Sequence, residues 1–146
     1  MKAVIQKVSE ASVSIDGIIN GAIEKGLVVL IGFAAEDNFE TIKWMCNKIS
    51  KLRVFPDDEG KMNLSVSDVG GGILFISNFT VYGHIKSGSR PSFTNSAPPE
   101  TAKPLYDKML TYFKNNYSFN IESGKFGAMM QVRITNDGPV TIILEK

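Results

Sequence analysis

The sequence predicts an α+β fold: antiparallel and mixed β-sheets in a ββα-layered, barrel-like arrangement with two main helices, all in a single domain over residues 1–146. Three observations carry this reading. Apolar and polar residues alternate with period two at the N-terminus. Two β-branched apolar runs, GLVVLIGFAA and GILFISNFTV, are too continuous for half-exposed strands. Two further segments repeat their apolar residues at helical spacing.

Taken in order, residues 2–8 (KAVIQKV) and 11–15 (ASVSI) read as two half-buried strands. Asp16-Gly17 between SVSI and IINGAI is the two-residue signature of a type I′ hairpin. GLVVLIGFAA reads as a central strand covered on both faces. Asp37 or Asn38 caps a first helix over 38–51, with Ile42, Met45, Cys46 and Ile49 on its inner face. Trp44 falls outside that stripe; edge packing accounts for it, and so does a second contact surface.

Arg53-Val54-Phe55 resumes extended structure, PDDEG makes a turn, and Gly70-Gly71-Gly72 makes a tight connection. A second buried strand then runs from Gly72 to Val81. Residues 83–99 form a long polar loop with three prolines, and loops of that length are commonly functional or disordered. Pro104 is compatible only with a first helical turn, which places the regular part of the second helix from 101–103 onward. Residues 117–122, 128–135 and 140–144 read as strands, the last two joined by Asn136-Asp137-Gly138-Pro139.

Composition excludes several classes. Sixteen basic residues against fifteen acidic ones give a net charge of +1, so any nucleic-acid contact is local rather than protein-wide. No apolar run approaches the ~20 residues of a membrane span, and the N-terminus reads as a strand, not a secretory signal; we expect a cytoplasmic protein. The lone cysteine, Cys46, reads as a core residue. With one histidine, His84, any catalytic triad or Cys-His pair has one choice of base, and no GxxxxGK[ST] phosphate loop is present. Asp57, Asp58 and Glu59 lack the alternating spacing of a calcium loop and read as a solvated acidic turn.

Chemistry is then confined to a few places. At Ser77-Asn78-Phe79-Thr80 an apolar strand gives way to hydroxyls and an amide, and backbone N–H groups at such a strand end can face a substrate oxygen; plain strand termination fits the same residues. Gly138-Pro139 reads by composition as an ordinary turn, although a Gly-Pro bond is open to the cis form. Between Asp68 and Glu100 there is no carboxylate, while His84, Lys86 and Arg90 all fall there; that loop suits a phosphate-bearing ligand, or is simply solvated.

In order and spacing, MKAVIQKVSEASVSIDG, GLVVLIG, KLRVFPDDEGKMNLSVSDVGG, SNFTVYG, KSGSRPSF, APPE, GKFGAMMQV and NDGPVTI resemble the D-aminoacyl-tRNA deacylase family, of the D-tyrosyl-tRNA deacylase type, almost end to end. The resemblance implies a homodimer with its active site at the subunit interface, hydrolysing the ester between a D-amino acid, or glycine, and the 3′-terminal adenosine of tRNA. It makes Ser77, Asn78, Phe79 and Thr80 one wall of that site. Gly138-Pro139 would be cis and inserted by the partner subunit, and Phe126 and Met130 would line the adenine and substrate pocket. Lys86 and Arg90 become the candidate tRNA-binding residues, and no metal or organic cofactor is expected.

Two mechanisms fit these residues. Thr80 is either a nucleophile, with His84 as its only nearby base, or a bystander while the 2′-hydroxyl of the terminal ribose activates the water and the N–H of Phe79 or Thr80 steadies the oxyanion. Two positions depart from the family pattern: Asn78 stands where Gln is usual, and Lys7 where Arg commonly pins the Gly-Pro turn. The rival functions are a non-catalytic dimeric RNA-binding module and a metal-dependent hydrolase built on Asp57, Asp58 and His84.

Overall fold

A computed structural model of the chain describes residues 1–85 and 88–146. The first hairpin follows from Asp16-Gly17: both residues have positive φ (51° and 79°), the type I′ geometry, and join β1 (Lys2–Ile15) to β2 (Ile18–Ile23). The predicted break after Val8 is absent. β1 runs on for 14 residues, because register shifts against its neighbour on either side of Val8 let the strand change face without ending.

β3 (Gly26–Gly32) pairs antiparallel with β1 and parallel with β6 (Gly72–Ser77), which pairs in turn with β7 (Ile121–Ser123). The outer edge of β1 is taken by β8 (Gln131–Glu145), and the mixed sheet so formed is nearly barrel-shaped. β4 (Phe55–Pro56) and β5 (Met62–Leu64) make a small separate hairpin. Within it Asp57 accepts from Asn63 Nδ2 and from the N–H groups of Lys61 and Glu59, which hold its carboxyl below the usual range. The acidic turn is thus occupied with its own backbone, and among the described residues no group of three metal-ligating side chains occurs.

Helix α1 (Phe39–Ser50) is capped by Asn38, whose side chain accepts from the N–H groups of Glu40 and Thr41. Helix α2 (Pro99–Asn116) begins earlier than predicted and carries Pro104 inside it. Its first turn is closed by the Pro98 carbonyl, which accepts from Thr101 and Ala102, and Pro104 lies on the exposed face. β7 is shorter than predicted, since Tyr117 and Phe119 stack on each other and pack at a tilt against Phe113 instead of pairing. The two predicted C-terminal strands are one, β8, which pairs with β1 on both sides of a bulged Asp137–Val140, the register shifting across the bulge. Among the described residues no helix is long and apolar enough to cross a membrane.

The curvature creates two cores. Leu27, Val29, Ile31, Ile73 and Phe75 face the helices, meeting Ile42, Met45, Cys46 and Ile49 of α1 and Tyr106, Met109 and Phe113 of α2. Val28, Leu74 and Ile76 face the other way, against Val8, Val13 and Ile23. β3 and β6 are therefore buried on both faces, as their unbroken apolar runs require. Burial pushes the Cys46 thiol up to about 12, the state of a core residue rather than a nucleophile.

Candidate active site

The strand end is built by a cap. β6 stops at Ser77, short of the predicted Val81, because Asn78 Oδ1 accepts from Thr80 N–H (3.1 Å) and Thr80 Oγ1–H (2.5 Å) and turns the chain into a 3₁₀ helix, Phe79–Tyr82. A side chain this short reaches the N–H two residues ahead, so the departure to Asn78 makes a tight local cap. It also assigns the two candidate N–H donors. That of Thr80 is occupied by Asn78, whereas that of Phe79 meets no protein acceptor among the described residues. Asn78 N–H itself binds the Ile31 carbonyl (2.7 Å), anchoring the turn to β3.

Thr80 and His84 are not partners. His84 Nε2 lies 3.4 Å from Thr94 Oγ1, and the backbone of His84 bridges to Ser92. The Thr80 hydroxyl spends its proton on an amide oxygen, which is no base. Phe79 is exposed and packs edge-on against Phe93 (centroids 5.0 Å).

The second element is the bulge in β8. The Gly138–Pro139 peptide is cis, not the ordinary turn that composition suggests, and Gly138 has φ 123°, a conformation side-chain-bearing residues avoid. Asn136 braces the bulge by accepting from Val140 N–H (3.3 Å) and donating to Thr141 Oγ1 (3.3 Å). Lys7, paired with Leu27 of β3 but skipped by β8, lies on the buried face of β1 with Ala3 and Ile5, and its Nζ meets Asp137 Oδ2 at 3.0 Å. Gly138 and Pro139 themselves are exposed.

Within one chain these elements stand apart. From Ser77 to the bulge the path crosses β3 and β1 to reach β8, three inter-strand steps, and runs four residues along the strands. At ~4.8 Å per step and ~3.3 Å per residue the path along the sheet is on the order of 20 Å. Phe126 and Met130, in contrast, come close to β6. Gly124 N–H binds the Phe75 carbonyl (2.9 Å), a Cβ on Gly124 would collide with Met130 Sδ, and Ile76 Cδ1 borders the same spot. Phe126 is half-buried against Tyr106, centroids 5.9 Å apart.

Arg90 is exposed and distant in sequence from any ion pair, and Lys86 lies outside the described residues. Three further residues that the sequence did not single out position the site. Tyr106, buried and with its phenol pKa raised by burial, donates to the Phe75 carbonyl (3.0 Å) and approaches that of Gly124 (3.4 Å), tying β6 to the Phe126 loop. Gly32 admits the 3₁₀ turn: a Cβ there would lie 2.7 Å from Val81 Cγ2 and 3.0 Å from the Asn78 carbonyl. Asp137, within the quoted NDGPVTI motif, is the partner of Lys7. Helix spacing marked Tyr106 only as apolar, and Gly32 lay hidden in an apolar run.

Fold and site together define an α+β protein whose capped strand end presents main-chain groups and a side-chain amide. A sequence model of the D-Tyr-tRNA(Tyr) deacylase family matches residues 4–145, and the chain belongs to that family. It is 52% identical over 145 residues to a D-aminoacyl-tRNA deacylase of Fervidobacterium nodosum and 50% identical over 145 residues to one of Petrotoga mobilis, in each case across 99% of this chain and 97% of the relative. A solved structure described as the c-Myc DNA Unwinding Element Binding Protein superimposes with a TM-score of 0.95 at 43% identity, covering 100% of this chain and 99% of that one. A second, described as a probable eukaryotic D-amino acid tRNA deacylase, shares the fold (TM-score 0.82, 98% and 97% covered) at 15% identity.

Proposed function

We propose that the chain is a D-aminoacyl-tRNA deacylase: it hydrolyses the ester between a D-amino acid, or glycine, and the 3′-terminal adenosine of tRNA, as a homodimer whose site is shared between subunits. One observation carries the shared site. Phe79 and Thr80 at the strand end and Gly138 and Pro139 in the bulge are all exposed, yet three inter-strand steps and a path on the order of 20 Å along the sheet lie between them within one chain. A two-fold arrangement that lays the bulge of one copy against the strand end of the other closes that gap twice over.

Each part then has a role. An aminoacyl ester is already reactive, so placement and a single oxyanion donor supply much of the barrier reduction. Phe79 N–H, which meets no protein acceptor among the described residues, is that donor, and the terminal ribose 2′-hydroxyl assists the attacking water. Thr80 is left as part of the cap. The Gly138 and Pro139 carbonyls crowd the volume an L side chain needs, while glycine, lacking one, passes. Lys7 holds this chiral wall through Asp137 with a single contact, where an Arg fork makes two. Phe126 and Met130 line the adenine end, and Arg90 with Lys86 meets tRNA phosphate. The reaction so written needs no metal or organic cofactor.

The test is direct. Purified protein incubated with D-Tyr-tRNA and L-Tyr-tRNA should release D-Tyr and leave L-Tyr esterified, with full activity after exhaustive EDTA treatment and a sedimentation coefficient of a dimer. Turnover of neither ester would replace this reading with a non-catalytic RNA-binding module. Loss of activity with EDTA would revive a metallohydrolase.

A further inference from the structure

Away from the strand end, α1 and α2 enclose a groove of about 830 Å³ whose lining includes Lys43, Trp44, Lys51, Tyr112, Tyr117 and Lys146. Trp44 is the residue that fell outside the apolar stripe of α1. Its ring gathers two ammoniums, Lys48 Nζ at 5.6 Å and Lys146 Nζ at 5.4 Å from the centroid. One turn back, Phe39 does the same for Lys43 (5.2 Å) and Lys108 (5.0 Å). Among the described residues Lys48, Lys51, Lys108 and Lys146 have no acidic side chain as partner, and Glu40, paired with Lys43 at 2.6 Å, is the one acidic side chain lining the groove. In a chain of net charge +1 this is a concentrated positive field.

We propose that this groove docks the sugar–phosphate backbone of the tRNA whose 3′ end occupies the strand-end site, a proposal that rests on the deacylase reading. Charge complementarity selects the occupant. Ammoniums drawn together over two rings repel one another until a polyanion runs between them. The rings also restrain four lysine side chains whose ordering otherwise opposes binding. Because Trp44 is engaged by cations, it holds phosphate-binding groups in place rather than stacking on a base, and the contact is indifferent to sequence.

A row of contacts links the groove to the 3₁₀ turn. Tyr82, the last residue of the 3₁₀ turn, lies under Lys2 Nζ (5.9 Å), Lys2 pairs with Glu145 (3.4 Å), and the next residue is Lys146. The nearby acid Asp37 is neutralised by the Met1 ammonium at 2.7 Å. A strand of RNA leaving the site along this edge passes from Lys2 to Lys146 and into the groove.

Trp44 is the only tryptophan, so its fluorescence reports occupancy. Uncharged tRNA titrated into the intact protein should change Trp44 emission saturably, and Lys48→Ala/Lys146→Ala should weaken binding about tenfold at 0.1 M salt. The slope of log K against log[salt] should become shallower by about 1.5, the share of two phosphate contacts. A charge-matched control, Lys61→Ala/Lys103→Ala, removes lysines already paired with Glu59 and Asp107 and should bind as the parent does. With D-Tyr-tRNA the groove variant should raise KM and spare kcat, while hydrolysis of 3′-O-D-tyrosyl-adenosine, which carries no phosphate, stays unchanged. Equal affinity and equal salt slope in parent and groove variant would overturn the proposal, as would equal losses in the control. Binding that behaves as expected without turnover of either ester would sink the deacylase reading and leave the groove standing.

Discussion

Thr80→Ala separates the two mechanisms for ester cleavage. The Thr80 hydroxyl donates to Asn78 Oδ1, and His84 Nε2 lies against Thr94 Oγ1, so among the described residues no base takes the Thr80 proton. Removing the hydroxyl deletes one exposed hydrogen bond, about 1 kcal/mol, and leaves the Asn78 to Thr80 N–H cap in place. At 1.36 kcal/mol per factor of ten, that corresponds to about a fivefold loss of rate. Loss of a true nucleophile costs roughly 10⁴-fold or more. Single-turnover hydrolysis of D-Tyr-tRNA, with enzyme in excess, reads the chemical step without product release. A rate within about tenfold of the parent is expected, since the margin between the two mechanisms is about three orders of magnitude. A fall beyond a thousandfold, in a variant with unchanged thermal unfolding and sedimentation, would refute the reasoning and make Thr80 the nucleophile.

Four further outcomes follow from the geometry. Lys7→Ala, which removes the 3.0 Å pair with Asp137, should raise L-Tyr-tRNA hydrolysis about tenfold relative to the D ester, and Lys7→Arg should lower it below the parent; the D/L rate ratio measures both. Gly32→Ala drives a Cβ to 2.7 Å from Val81 Cγ2, so kcat should drop with the fold retained by circular dichroism. Tyr106→Phe strips a buried hydroxyl from the Phe75 carbonyl; a loss of ~1–2 kcal/mol should lower Tm by about 3–6 °C in calorimetry. Burial raises the Cys46 thiol from 9.0 to about 12, so the folded state holds that proton more tightly than the unfolded chain. Its contribution to stability is complete below pH 9 and declines as pH climbs toward 12, and iodoacetamide should leave the native thiol unmodified at pH 8.

Local signals sufficed where one residue's own chemistry decides the backbone. Asp16-Gly17 specified its hairpin, the Asp37-Asn38 pair its helix start, and the runs around Val29 and Phe75 their burial on both faces. The order of quoted motifs was enough to place the chain in its family. The site was legible as residue types but not as an arrangement. The shortness of β6 followed from Asn78 competing with the ladder for Thr80 N–H, and Pro104 was accommodated inside α2 on an exposed face.

Other decisions belonged to tertiary structure alone, because they depend on atoms far apart in the chain. Lys7 shares the buried face of β1 with Ala3 and Ile5, but it meets a carboxylate there only because the bulge in β8 brings Asp137 against it. Tyr106 needs β6 beneath α2 before its hydroxyl has carbonyls to bind. Gly32 matters only because the turn after β6 folds back over it, and Trp44 gathers Lys146 only because β8 ends beside α1. Sequence periodicity reports which face of an element is dry; which groups meet across that face is settled by how the sheet curls.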